Sequence, residues 1–288
     1  MSDKIPGTEN TWRFLAAGDS LAEATGVLLG CPLDDTGSFR TGSRFAPAQL
    51  RLVSDALEEY SIVRNRDLRQ ISFFDGGDLL LAPGDTETSL HKISAAVSYL
   101  LDAGKKPFLV GGEHTITFGA VKGCLTKYPD LTVLCLDAHA DMRPAYLGAS
   151  FSHASAAYYL RQLKGVELYQ FGIRSAERDE LGDLAGKYIF LHTWRDHLTR
   201  LLPLLKEKPL YLSIDIDVVD PAFAPGVTAP EPGGITSAEL LEIFPLLEKL
   251  KDNIIAFDLV EISPPYDPAQ TTALLGAKII REALLTFL

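Results

Sequence analysis

No apolar run in this chain approaches the length needed to cross a bilayer; Leu201–Leu205 runs straight into Lys206, Glu207 and Lys208. Cysteine is scarce, and Cys31, Cys124 and Cys135 form no C-x-x-C pair, which excludes a zinc-finger framework and a disulfide scaffold. Cys31 and Cys135 lie in strand-like apolar runs and read as small buried hydrophobes. Positive charge is in deficit: 27 Lys and Arg stand against 38 Asp and Glu, for a formal net charge of −11. That balance argues against nucleic acid and anionic membrane as partners, and agrees with a cationic substrate or metal ions. The polar stretch Met1–Thr11 has no apolar core of the kind a secretory leader needs, so the expectation is a cytoplasmic chain in a reducing compartment.

What the sequence does contain is a regular alternation of short apolar runs and helical patterns over 288 residues, the mark of a parallel sheet with crossover helices. Eight strands are expected, at Thr25–Cys31, Gln70–Phe74, Pro107–Val110, Leu131–Leu136, Val166–Phe171, Tyr188–Leu191, Pro209–Ile214 and Ile254–Leu259. Helices are expected at Pro47–Tyr60, Thr86–Ala103, Ile116–Lys127, Ser152–Gln162, Ser237–Leu250 and Thr271–Phe287. No linker or repeat interrupts the pattern, so residues 1–288 read as one α/β domain.

Three polar runs stand where predicted strands end. Asp137, His139 and Asp141 alternate at i, i+2, i+4, which places them on one face of an extended segment; Asp215 and Asp217 repeat the spacing, and His114 follows Gly111-Gly112-Glu113. Ligands of open parallel sheets bind at the carboxyl ends of strands, so residues about a hundred positions apart can meet there. Carboxylates that crowded repel unless cations hold them together. A mixed carboxylate and imidazole set suits manganese, iron, cobalt or zinc, and the absence of neighbouring thiols disfavours structural zinc. Six ligand-type residues exceed what one open catalytic ion needs and fit two ions about 3.5–4 Å apart.

Four ordered blocks resemble the signature of the ureohydrolases, the arginases, agmatinases and related guanidino and amidino hydrolases. They are Gly111-Gly112-Glu113-His114-Thr115, Asp137-Ala138-His139-Ala140-Asp141, Ser213-Ile214-Asp215-Ile216-Asp217-Val218-Val219-Asp220-Pro221 and Glu261-Ile262-Ser263-Pro264. The similarity runs from Gly30-Cys31-Pro32 to Thr271-Thr272-Ala273. It implies a three-layer αβα sandwich around the central, mostly parallel eight-stranded sheet, two Mn2+ ions per subunit, and a trimeric or hexameric homo-oligomer. By the same resemblance His114, Asp137, Asp141 and Asp215 bind one ion and Asp137, His139, Asp215 and Asp217 the other. Glu261 matches the carboxylate that holds the guanidinium, whose pKa exceeds about 12. The resemblance implies that Asp141 carries a proton to the leaving nitrogen while remaining a metal ligand, and His153 matches the family's mobile histidine, a proton relay with bulk water. The reaction implied is attack of hydroxide on the guanidinium carbon. Glu113 is read either as a support for the ligands or as a solvated neighbour, and Asp220 as a turn former or a hydrogen-bond partner of a metal ligand.

Within the family the chain looks most like the agmatinases. Arginases carry Asn two residues beyond the last aspartate of the second block, where this chain has Arg143, and Asn-Pro where it has Ser263-Pro264. Agmatinase-like features include Tyr146-Leu147-Gly148 and Phe171-Gly172-Ile173-Arg174-Ser175. Arg143 is an awkward neighbour for the ammonium of agmatine unless it is paired, and suits the carboxylate of guanidinobutyrate or formiminoglutamate. Agmatine is the expected substrate, with guanidinobutyrate, formiminoglutamate and arginine as alternatives. Rivals of a different class are a one-zinc deacetylase-like amidohydrolase and a non-catalytic metal-binding protein.

Overall fold

The computed structural model describes residues 5–9, 12–190 and 194–288; the readings for Leu191 and His192, and for part of the Met1–Thr11 stretch, fall outside these. Its strands are β1 (Thr8–Glu9), β2 (Gly26–Cys31), β3 (Tyr60–Ser61), β4 (Arg66–Asp67), β5 (Phe73–Leu79), β6 (Lys106–Gly111), β7 (Leu131–Leu136), β8 (Val166–Phe171), β9 (Ile189–Phe190), β10 (Leu210–Asp215) and β11 (Ile254–Val260). Its α-helices are α1 (Ala46–Ser54), α2 (Thr86–Asp102), α3 (Thr115–Leu125), α4 (Ala156–Gln162), α5 (Arg178–Leu181), α6 (Trp194–Leu205), α7 (Ser237–Leu241), α8 (Ile243–Leu247) and α9 (Thr271–Phe287). One nine-stranded sheet has the order β1-β5-β2-β6-β11-β10-β7-β8-β9. Eight strands run parallel, and β1 adds to the edge in antiparallel sense through Thr8↔Leu79.

The sheet therefore holds one strand more than expected. A two-residue strand in a polar leader carries no alternation that a sequence pattern can register, because backbone pairing alone makes it. The second expected strand also moves: Leu68–Gln70 is a 3₁₀ turn, and β5 continues through Asp75-Gly76-Gly77-Asp78. The expected strand stops at Phe74, short of these two charges. In the fold Arg51 of α1 supplies their partner, bonding Asp75 at 2.8 and 2.9 Å and Asp78 at 2.5 Å. The expected helix over 237–250 breaks at Glu242, since Pro245 has no amide hydrogen for the turn before it. Helix α6 had no counterpart among the expected helices.

Alternation along the central strands builds two cores. Leu28, Phe108, Val110, Leu134, Leu212 and Phe257 face α1, α6, α8 and α9. Val27, Leu29, Leu109, Val133, Tyr211 and Ala256 face α2, α3 and α4 on the other side. Each buried side chain of this size contributes about 1.5–3 kcal/mol, so the two helical layers are held by the strands they cover. The result is the expected αβα sandwich.

The four central strands β6, β11, β10 and β7 end side by side, and the four blocks of the sequence leave from those ends. Gly112 sets the exit from β6. Its amide donates to Cys31 O at 3.1 Å, and a Cβ there would lie 1.8 Å from Leu33 O. Gly112→Ala must push the β6 exit off β2 and is expected to cost about 1–3 kcal/mol of unfolding free energy in urea titration; an unchanged midpoint would show that the exit yields freely.

Candidate metal centre

His114 stands as the N-cap of α3, directly after the β6 exit. Its Nδ1 lies 3.0 Å from Asp137 Oδ2, 3.2 Å from Asp141 Oδ2 and 3.3 Å from Asp215 Oδ2, bringing three of the four central strands to one point. A second group adjoins it. His139 Nδ1 lies 2.8 Å from Asp217 Oδ2, and Asp137, His139 and Asp217 offer ligand atoms within 4.8 Å of one another. Backbone amides fix the carboxylates: His139 N donates to Asp137 Oδ1 at 2.6 Å, Asp217 N to Asp215 Oδ1 at 2.9 Å and Ala138 N to Asp217 Oδ1 at 3.0 Å. All six residues expected as ligands thus converge, with Asp137 shared between the two groups.

The donor set fits cations. Nitrogen and oxygen ligands about 2.1 Å from one ion stand about 3 Å from each other when adjacent, as the atoms around His114 Nδ1 do. His114 Nδ1 and Asp137 Oδ2 are buried and lack a hydrogen-bond partner, which a buried polar atom does not tolerate without other compensation. Burial drives Asp137 up to about 7, with Asp141 and Asp217 adding repulsion. Burial also raises Asp215 well above the carboxylate range, and Asp217 adds to the effect. Burial would lower His139, yet the charge and hydrogen bond of Asp217 carry it up to about 11. Asp217 is itself held below its ordinary value: His139 outweighs the cost of burying it.

Supporting residues escaped the sequence reading. His114 Nε2 meets Ser213 Oγ at 3.1 Å, and Ser213 Oγ donates to Asp258 Oδ1 at 2.6 Å. Asp258 also accepts from Tyr211 OH at 2.5 Å and Thr117 Oγ1 at 2.8 Å. The signal was present, since Asp258 is an acid inside the apolar strand β11, which needs buried partners to stay there. Arg174 ties the turn after β10 to the loop beyond it, donating to Asp217 O at 2.7 Å and Glu231 O at 2.6 Å. One expectation is corrected: a thiol is near, with Cys135 Sγ 3.7 Å from His114 Nε2. Its sulfur also lies within 4.8 Å of an Asp137 oxygen, but burial pushes it up to about 12, so it stays a neutral thiol.

The centre opens into a cavity of about 340 Å³, small-molecule in scale. Glu261, buried at the β11 exit, accepts from His114 N at 2.5 Å and from Thr228 Oγ1, and burial lifts it to about 8. Asp141 and Glu261 both have left-handed backbone, at φ 51° and 67°, a conformation that costs an L residue about 1–2 kcal/mol. His153 lines the cavity with Tyr146, whose ring meets it edge-on at 5.4 Å; burial holds its imidazole below the ordinary value. The proline- and glycine-rich loop after β10 forms another wall through Thr228 and Ala229. Asp220 is a turn former, accepting from Ala222, Gly233 and Gly234 amides. Glu113 is buried rather than solvated, and bonds Thr36 and Thr115. Arg143 is paired, its guanidinium 3.4 Å from Glu177 and 3.8 Å from Glu180 and stacked over Tyr146 at 5.0 Å.

Comparison with known proteins agrees with this layout. The family model described as "Arginase family" matches residues 24–286. An agmatinase of Bacillus anthracis is 42% identical, over 94% of this chain and 95% of its own. The proclavaminate amidinohydrolase of Streptomyces clavuligerus is 34% identical, over 91% and 87%. The crystal structure of the agmatine ureohydrolase of Thermoplasma volcanium superposes with a TM-score of 0.86 at 31% identity, covering 97% of this chain and 95% of that one. The chain belongs to the arginase family and is a ureohydrolase enzyme. Among the described residues no helix is long and apolar enough to cross a membrane.

Two measurements test the centre. Ser213→Ala removes the group that orients His114, and divalent-cation affinity by calorimetry is expected to fall about 10–100-fold; unchanged affinity would separate His114 from the ion. A cation must also displace protons from His139 and Asp137, so binding should release protons and tighten as pH rises from about 6 to 8. Heats that do not vary with the ionisation enthalpy of the buffer would contradict this.

Proposed function

We propose that this enzyme is an agmatinase, hydrolysing agmatine to putrescine and urea in polyamine biosynthesis, with two manganese ions in the centre described above. The observation that carries the reading is the convergence of three carboxylate oxygens on His114 Nδ1, with Asp141, Asp215 and Glu261 lining one cavity. Ligation follows the family pattern: His114, Asp137, Asp141 and Asp215 for one ion, Asp137, His139, Asp215 and Asp217 for the other. Such a pair supplies an activated water at neutral pH and neutralises four aspartates.

The chain's own groups supply the rest. Glu261 already uses one lone pair of each oxygen, on His114 N and Thr228 Oγ1, which fixes its plane and leaves a second lone pair on each for a guanidinium. The arriving cation pulls its pKa back down and keeps it ionised. Asp141 passes a proton to the leaving nitrogen, and His153 exchanges protons with solvent. The tail of the substrate meets Arg143, Glu177 and Glu180. Two carboxylates against one guanidinium leave that rim with net negative charge, which favours the ammonium of agmatine over the carboxylate of guanidinobutyrate or formiminoglutamate. The names of the agmatinase relatives support the same choice. A cytoplasmic homo-oligomer, trimer or hexamer, completes the proposal.

Urea release from agmatine should vanish on chelation and return with manganese; turnover that survives chelation would overturn the metal role. Asp137→Ala is expected to abolish activity and His153→Ala to slow it on the order of 10²-fold, and a His153→Ala enzyme at full rate would remove the relay. Glu177→Gln strips part of the mask from Arg143. On a panel with guanidinobutyrate, formiminoglutamate and arginine, kcat/KM for agmatine should then fall on the order of 3–10-fold relative to guanidinobutyrate. A wild-type preference for guanidinobutyrate would reassign the substrate.

A further inference from the structure

Thr36, outside all four blocks, lies against the His153 ring. Its hydroxyl has three polar neighbours. Glu113 Oε2 is 3.0 Å away, the amide of His153 3.0 Å and His153 Nδ1 3.1 Å. A threonine hydroxyl has one proton to give and two lone pairs to fill. The amide of His153 can only donate, so it occupies one lone pair.

Glu113 decides the rest. Its Oε2 also accepts the amide of Thr36 at 2.9 Å, and a carboxylate or carbonyl oxygen takes such a bond in preference to an acid hydroxyl oxygen; that arrangement favours any proton of this carboxyl on Oε1, beside Thr115 Oγ1 at 2.9 Å. In either ionisation state Oε2 is an acceptor, and the single proton of the Thr36 hydroxyl goes to it. Nothing remains for Nδ1 to accept, so Nδ1 must be the donor and fill the second lone pair. Glu113 is buried and held from two sides, which keeps its Oε2 in place as the partner of the hydroxyl.

We infer that Thr36 and Glu113 lock neutral His153 as its Nδ1–H tautomer, which leaves the Nε2 lone pair free on the side of Ser38. Ser38 lines the cavity, and its Oγ is 3.5 Å from Nε2, too far to hold it firmly. Nε2 then accepts a proton, the ring becomes imidazolium, and the same proton leaves from Nε2, so the ring returns to its starting tautomer with no net change. Thr36 is a positioning residue: it acts through His153, and this role rests on the proton-carrier reading of His153 given above.

The test has a spectroscopic arm and a kinetic arm. Ring nitrogens of ¹⁵N-histidine-labelled full-length protein, freed of paramagnetic ions with a chelator, are recorded at about pH 8, above the imidazole range. The expected result is a pyrrole-type Nδ1 and a pyridine-type Nε2 for His153, assigned by its loss in His153→Ala. Thr36→Val should move both signals toward the other tautomer and lower kcat of the manganese enzyme about tenfold with little change in KM, and Thr36→Ser should restore both. A wild-type ring protonated at Nε2 overturns the inference, even where Thr36→Val fails to fold. So does a Thr36→Val enzyme with unaltered ring signals or unaltered kcat. A fully active His153→Ala enzyme would instead remove the relay from the proposed function, and the ring spectrum would still report what Thr36 does.

Discussion

Four aspartates and two histidines gathered at the ends of three of the four central strands repel and desolvate one another, and the rest of the site is arranged around that stress. Burial raises Asp137 and Asp215, and His139 is forced to hold a proton against Asp217. A protein does not retain such a cluster for stability alone, since apolar residues of similar size pack there at lower cost. Positive charge between the carboxylates removes the stress in one step. The crowding and the proposed two-ion chemistry are one feature seen from two sides.

Around that cluster runs a ring of groups expected to bind no ion themselves. Ser213 and Asp258 fix one face of His114, Arg174 fixes the turn that carries Asp217, and Thr36 with Glu113 fixes His153. Each is within reach only because the strands keep their register: Ser213 sits opposite both Asp258 and Cys135. The sheet thus functions as a ruler, and a shift of one residue in β10 would turn Ser213 and Asp215 to the wrong face.

Much of this was legible in the sequence. Strand ends could be placed from apolar runs, and the i, i+2, i+4 pattern of Asp137, His139 and Asp141 requires only an extended backbone. Gly111-Gly112 before His114 and the proline-rich loop after Asp220 could be read in the same local way. What stayed hidden depends on distance in sequence. Thr36 and Glu113 are 77 residues apart, and Ser213 and Asp258 45 apart. Arg51 makes Asp75 and Asp78 tolerable inside β5, so the strand runs on past Phe74, where the expected one stops. The role of Arg143 was open for the same reason, because Glu177 and Glu180 lie on α5 and in the residue before it.

The left-handed backbone at Asp141 and Glu261 has a consequence for how the protein tolerates change. Glycine would sit more comfortably at both positions, and either replacement would also thin the crowd of negative charge. Substitutions that quieten the ion-free chain there are the ones that disarm it, so stability and activity pull in opposite directions at these two residues. Screening for a hardier fold without also screening for turnover would select against the centre itself.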